Sequence, residues 1–375
     1  MNKSKIALFF LINSLSCFYQ PRANAIDVTT YSHSLLNVGS GQPSISVCDF
    51  DSDGNLDVIV ANYSDNNIIT FKGNGNGDLL EVGRFPVGEN PTGIAVSDIN
   101  DDGNVDVAIA NHETSYVTLL FGDGKGGFKT SSHSVFKTDL SPHPHLVRLE
   151  DLDGDSKIDL IVDSRIHNGL RFYKGHANGR FESVSTLIDT GGDPYRGFAI
   201  NDINADELLD IVTPNQREIG IATNTSSNKL SFNLKTLAPY DAPFAVELAE
   251  MNGDGKIDLI VASNGSLITI IPGDGIGNFL EKNKTEIKTA TGAKQIAIGD
   301  IDGDGLKDAL VSNWSGELYA VFGGKTKVEA SSFKLPSIPN PWGVALADLN
   351  EDGKSDLIIA DGNTKLAAVY ISKKE

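Results

Sequence analysis

Apolar residues fall along this chain in short runs with no helical spacing. Runs dense in β-branched residues, such as Val58-Ile59-Val60, Val107-Ala108-Ile109, Leu160-Ile161-Val162, Leu259-Ile260-Val261 and Leu357-Ile358-Ile359, recur at intervals of about fifty residues. Each is preceded by a shorter apolar segment (Gly93-Ile94-Ala95-Val96, Gly343-Val344-Ala345-Leu346) and followed by a polar turn. A third run comes next, for example Val117-Thr118-Leu119-Leu120-Phe121. A Gly-rich turn, Gly122 to Gly127, then leads to a fourth run opening at Phe128. Apolar residues three and four apart, which a helical solenoid needs, do not recur, so the pattern predicts an all-β chain of four-stranded units.

Between the first and second run of every unit lies one polar motif, Asp-x-(Asp/Asn)-x-Asp-Gly-x-x-Asp with small departures. Its copies are Asp49, Asp51, Asp53, Asp57; Asp98, Asn100, Asp102, Asp106; Asp151, Asp153, Asp155, Asp159; and Asp202, Asn204, Asp206, Asp210. Three more follow: Glu250, Asn252, Asp254, Asp258; Asp300, Asp302, Asp304, Asp308; and Asp348, Asn350, Asp352, Asp356. First positions are 49, 53, 51, 48, 50 and 48 residues apart, so seven units fill the chain after its leader and leave no room for a second domain. The seventh unit supplies only three runs, ending at Ala367 to Ile371, and a spare strand is expected at about Val28 to Leu36. Pairing the two would close a ring without an open edge, which is the architecture of a seven-bladed β-propeller.

The motif has the chemistry of a hard-cation loop. Oxygens at positions one, three, five and nine can surround one ion, with the position-seven carbonyls of Asn55, Asn104, Lys157, Leu208, Lys256, Leu306 and Lys354. All-oxygen ligation with tolerant geometry favours Ca2+ over Mg2+, giving up to seven calcium sites. Position six is Gly except at Ser156 and Glu207, so the site from Asp202 to Asp210 is expected to be the weakest. An EF-hand would need Glu at position twelve and a following helix; the residues there are Val60, Ile109, Val162, Thr213, Val261, Val311 and Ile359.

Taken together, the motif, the strand after it and the turns at Phe121-Gly122 and Phe322-Gly323 resemble the FG-GAP/VCBS repeats of integrin α-subunit propellers and of bacterial exported proteins. The resemblance covers everything after the leader. It implies a seven-bladed propeller with calcium between the first and second strands of a blade, and ligand binding on the opposite face.

Residues 1–25 read as a signal peptide. Lys3 and Lys5 precede the apolar stretch Ile6 to Ile12, and Ala23-Asn24-Ala25 offers a small-x-small cleavage site. Cys17, after Ser14-Leu15-Ser16, makes a poor lipidation site. The expectation is a secreted or periplasmic protein of residues 26–375 with no membrane span. Only Cys48 then remains, so an intrachain disulfide is excluded and metal is the available source of rigidity. The full chain carries a net charge of −19, and loss of Lys3, Lys5 and Arg22 makes it −22, which argues against a nucleic-acid partner. Seven dications would bring that to −8, so the acidity belongs largely to the loops.

On the face opposite these loops the sequence places Trp314 and Trp342, together with His143, His145, Tyr195, Arg196, Tyr240, Asp241 and Lys294, expected in links between units. Two readings follow. In one the chain is a recognition or adhesion module for glycans or extracellular proteins, with the tryptophans as platforms. In the other it is a propeller-type lyase acting on uronic-acid glycans through His, Tyr and Arg. No Ser/His/Asp order, zinc spacing or phosphate loop supports a hydrolase or nucleotide-binding reading.

Overall fold

The computed structural model describes residues 26–112, 114–137, 144–163, 169–194, 197–227, 229–237, 240–325 and 327–373. Among the described residues the strands form seven four-stranded antiparallel sheets and one two-stranded ribbon, Gly175–His176 with Arg180–Phe181. Blade one is typical: Ser44–Cys48, Asp57–Asn62, Asn67–Gly73 and Leu79–Pro86 pair in chain order. In every blade the second strand starts at the ninth motif residue: Asp57, Asp106, Asp159, Asp210, Asp258, Asp308 or Asp356. The Asp-rich segment is therefore the hairpin loop between the first two strands.

The blades stack through seven apolar clusters, one for each pair of neighbours. Second strands such as Asp57–Asn62 and Asp258–Ser263 are buried along their whole length, which is why they read as unbroken apolar runs. First strands line the axis. A cavity of 380 Å³ there is walled by residues of all seven blades, among them Ser46, Ile94, Arg148, Phe198, Glu247, Ile296 and Ala345. Across it Arg148 Nη2 lies 3.6 Å from Glu247 Oε1, and the guanidinium sits 5.7 Å from the Phe198 ring centre.

Blade seven is completed from the other end of the chain. Ser32–Asn37 pairs antiparallel with Leu366–Ile371, from Ser32 opposite Ile371 to Asn37 opposite Leu366. The strand begins later than the sequence pattern indicates. The Asp27 carboxylate accepts the Thr29 amide at 3.0 Å and fixes Val28–Thr30 as a 3-10 turn. Leu36 and Val38 then enter the cluster shared with Val58, Val60, Ala345 and Val369, joining blade seven to blade one. Among the described residues no helix is long and apolar enough to cross a membrane. The expected signal peptide lies outside the described residues. The Cys48 thiol is half-buried, and burial pushes it up to about 12.

Candidate functional site

The Asp-rich loops share one construction. The first carboxylate turns back on its own loop: Asp49 accepts the amides of Asp53 and Gly54 at 3.2 and 2.9 Å, and Asp98 those of Asp102 and Gly103 at 3.1 and 2.7 Å. The same pattern recurs at Asp151, Asp202 and Asp348. Position six is left-handed throughout, including Ser156 at φ 65° and Glu207 at φ 68°. A Cβ at Gly54, Gly103, Gly255, Gly305 or Gly353 would meet nothing within 4 Å. Backbone conformation, not space, is what selects glycine there, and two blades bear the strain of departing from it.

The ninth carboxylate does work that the motif alone does not reveal. In each blade it is fully buried and accepts two main-chain amides: Asp57 takes Phe50 N at 3.0 Å and Gly73 N at 2.8 Å, tying the loop's start to the end of the third strand. The pair recurs at Asp106, Asp159, Asp210, Asp258, Asp308 and Asp356. Burial pushes these carboxyls up to about 6, and Asp308 to about 7, against the pull of the two amides.

Among the described residues, carboxylate oxygens come within 4.8 Å of one another in three trios: Asp49, Asp51 and Asp53; Asp151, Asp153 and Asp159; and Asp300, Asp302 and Asp304. At position three of blades one and two, Asp51 Oδ1 and Asn100 Oδ1 are buried oxygens without a hydrogen-bond partner. Grouped carboxylates and inward oxygens lacking a donor are a donor set that a hard dication fits. In blades one and three an ammonium is already close. Lys72 contacts Asp51 and stands 2.9 Å from Asp53, and Lys174 contacts Asp153 and stands 2.5 Å from Asp155.

The opposite face carries a second cluster. Trp314, in the turn between the second and third strands of blade six, meets Trp342 edge-on at 5.1 Å. Lys294 Nζ lies 5.1 and 5.0 Å from their ring centres and donates to Asn340 Oδ1 at 2.7 Å and Pro341 O at 2.8 Å. Burial pushes this ammonium down to about 8, with Asp361 acting the other way. Lys294 sits in the strand Ala293–Gly299 and not in a link, contrary to the sequence reading. That position is what lets it reach both rings.

Trp342, Lys294 and His145 line one small mouth of 60 Å³ with Thr92, Phe244 and Gln295, at the entrance to the central cavity. His145 is buried, not a solvated loop residue. Its amide and that of Leu146 donate to Asp163 Oδ1 at 2.7 and 2.8 Å, and its ring lies 4.4 Å from that of His112. Tyr240 stands apart, bonded to Glu281 at 2.6 Å, and the Asp241 carboxylate lies beside Gly265. His143, Tyr195 and Arg196 lie outside the described residues. Sequence reasoning missed His112, Lys72 and Lys174; the one available signal was the basic residue before Gly73 and Gly175.

No curated protein matches this chain. Among solved structures it is similar to BBS1N in complex with ARL6DN, in a crystal soaked with mercury: TM-score 0.63, 12% identity, covering 92% of this chain and 99% of that one. A lead-soaked crystal of the same complex gives 0.60 at 11% identity, covering 92% and 98%. The model of the FG-GAP-like repeat matches residues 49–109, 98–162, 151–213, 251–311 and 302–359, each match starting in an Asp-rich loop and ending in the second strand of the next blade. With seven such loops in register on seven blades, the chain belongs to the FG-GAP-like repeat family.

Proposed function

We propose that this protein is a non-catalytic recognition module whose Asp-rich loops take calcium and whose opposite face, at the mouth of the central channel, binds a protein partner. The observation that supports it best is the corner of Trp314, Trp342 and Lys294. Trp314 is 46% exposed although large and apolar, and it packs against a buried cation and a second indole. A rigid aromatic beside a concave mouth is the usual form of an anchor in protein recognition. The structurally similar BBS1N propeller was crystallised with a protein, ARL6DN, in keeping with this reading.

In the loops, the residues that would hold calcium are those at positions one, three, five and nine with the position-seven carbonyl. The ion would supply positive charge that cancels the repulsion within each trio and fixes the hairpin. Export through residues 1–25 would place the loops in a calcium-rich medium.

Of His143, His145, Tyr195 and Arg196, which the lyase alternative would use, His145 alone is among the described residues. His145 is enclosed, so it is poorly placed to take a proton from a polymer.

The test is capture from the extracellular fraction of the source organism on immobilised wild type, Trp314→Ala and Ile276→Ala, the last altering an exposed residue on the loop face. Proteins held by wild type and Ile276→Ala should bind Trp314→Ala roughly 10- to 100-fold more weakly. Retention by Trp314→Ala with loss from Ile276→Ala would place recognition on the loop face. Binding to a glycan array with no protein captured would replace the protein partner with a carbohydrate.

A further inference from the structure

We propose that Lys72 and Lys174 are tethered counter-cations that occupy the loops of blades one and three, so that calcium must displace them and these two sites fill last. The inference rests on the calcium reading above. Both lysines hold the same place in their blades, directly before the glycine whose amide caps the ninth carboxylate: Gly73 N donates to Asp57 at 2.8 Å and Gly175 N to Asp159 at 2.7 Å. From there each ammonium reaches the carboxylates at positions three and five, Asp51 and Asp53 in one blade, Asp153 and Asp155 in the other. Two independent copies of one arrangement, in two blades whose sequences otherwise differ, are hard to ascribe to chance.

The contrast with the remaining blades is chemical. The equivalent residues are Phe121, Thr223, Pro272, Phe322 and Ile371, none of which can carry positive charge. Their loops have no side chain at that position to neutralise them, and the Lys256 ammonium within the blade-five loop stays 3.9 Å from Asp254, too far to hold two carboxylates as Lys72 does. Blade six, with the trio Asp300, Asp302 and Asp304, has Phe322 at that place, and the positive charge acting on Asp302 among the described residues is Lys354 of the neighbouring blade. The lysines reverse the ranking that the sequence implies. Blade one has a full set of carboxylates, yet its own ammonium competes for two of them, and Asp51 Oδ1 stays unpaired because the lysine reaches the other oxygen.

The expected consequence is calcium binding in two phases. A tethered ammonium held by two carboxylates should raise the calcium concentration needed at those sites roughly tenfold. Native mass spectrometry of the intact protein across a calcium titration counts the ions directly. Wild type should load two ions late. Lys72→Met and Lys174→Met should each move one ion into the early phase, the double variant should move both, and Lys72→Arg should keep its late ion. Each single variant reports on its own loop, so the reasoning can be judged if the double variant does not fold. A single loading phase in wild type, or two late ions in the double variant, would overturn the lysine proposal and leave calcium binding intact. No bound ion in any variant would overturn the calcium reading with it.

Discussion

Leu35 and Leu36 are neighbours on the strand that closes the ring, and they face opposite ways. Leu36 is 8% exposed, packed with Val58, Val60 and Val369 between blades seven and one; Leu35 is 48% exposed on the outer edge. Leu36→Ala removes a buried side chain from a junction of two blades, for which about 2–5 kcal/mol is lost, the spread reflecting how far the site collapses. Val38→Ala, at 2% exposure in the same cluster, should cost about 2 kcal/mol. Leu35→Ala should stay within about 0.5 kcal/mol of wild type, because Leu35 lies half in solvent and outside the apolar cluster. Urea denaturation followed by tryptophan fluorescence suits the question, since Trp342 belongs to the blade this strand completes. The midpoint should drop for Leu36→Ala with little change in slope, and the two tryptophans and the far-ultraviolet signal should be lost together. Equal midpoints for Leu35→Ala and Leu36→Ala would mean that the N-terminal strand is not the clasp of the ring.

Other outcomes follow from named groups. Glu207→Gly should stabilise the protein by about 0.5–1 kcal/mol, because Glu207 stands at φ 68°; no gain in the urea midpoint would count against strain there. In excess EDTA, stability should fall as pH rises from about 4 to about 7. The ninth carboxyls are pushed up to about 6 or 7 from an ordinary value near 3.9, so the folded state holds the extra protons across that window. With calcium the sign should reverse, since protonation expels the ion; the same slope in both media would refute the assignment. Lys294, pushed down to about 8, binds fewer protons folded than unfolded between pH 8 and about 10, so stability should rise over that range. Lys294→Met should abolish that rise, and urea midpoints at two pH values decide the matter.

Most of the fold was readable because it is periodic. The second strands show as unbroken apolar runs because both of their faces are buried, and the loop before each declares itself through alternating carboxylates and a left-handed glycine. Ring closure followed from a missing strand at one end and a spare one at the other. The start of the spare strand did not, because one carboxylate, Asp27, turns three residues into a 3-10 turn. What escaped reading depends on single side chains meeting across long stretches of chain. The ninth Asp reads as a cation ligand in the motif, and its second task, accepting Gly73 N and its counterparts, shows only in the fold. Lys72 and Lys174 lie some twenty residues beyond the loops they enter. The tryptophan pair was visible as two rare residues on one face, but Lys294 between them was assigned to a link. A cation from one strand serving two rings on neighbouring blades has no local pattern.

Calcium held in the Asp-rich loops should set the stability of the whole ring. Scanning calorimetry of the wild-type protein at pH 7, in millimolar calcium and in excess EDTA, tests it most directly. One site saturated a hundredfold above its Kd adds about 2.7 kcal/mol, or roughly 3–4 °C for a chain of this size, so several filled loops should raise the transition by at least about 10 °C. The same transition temperature in both media would mean that the loops hold no calcium.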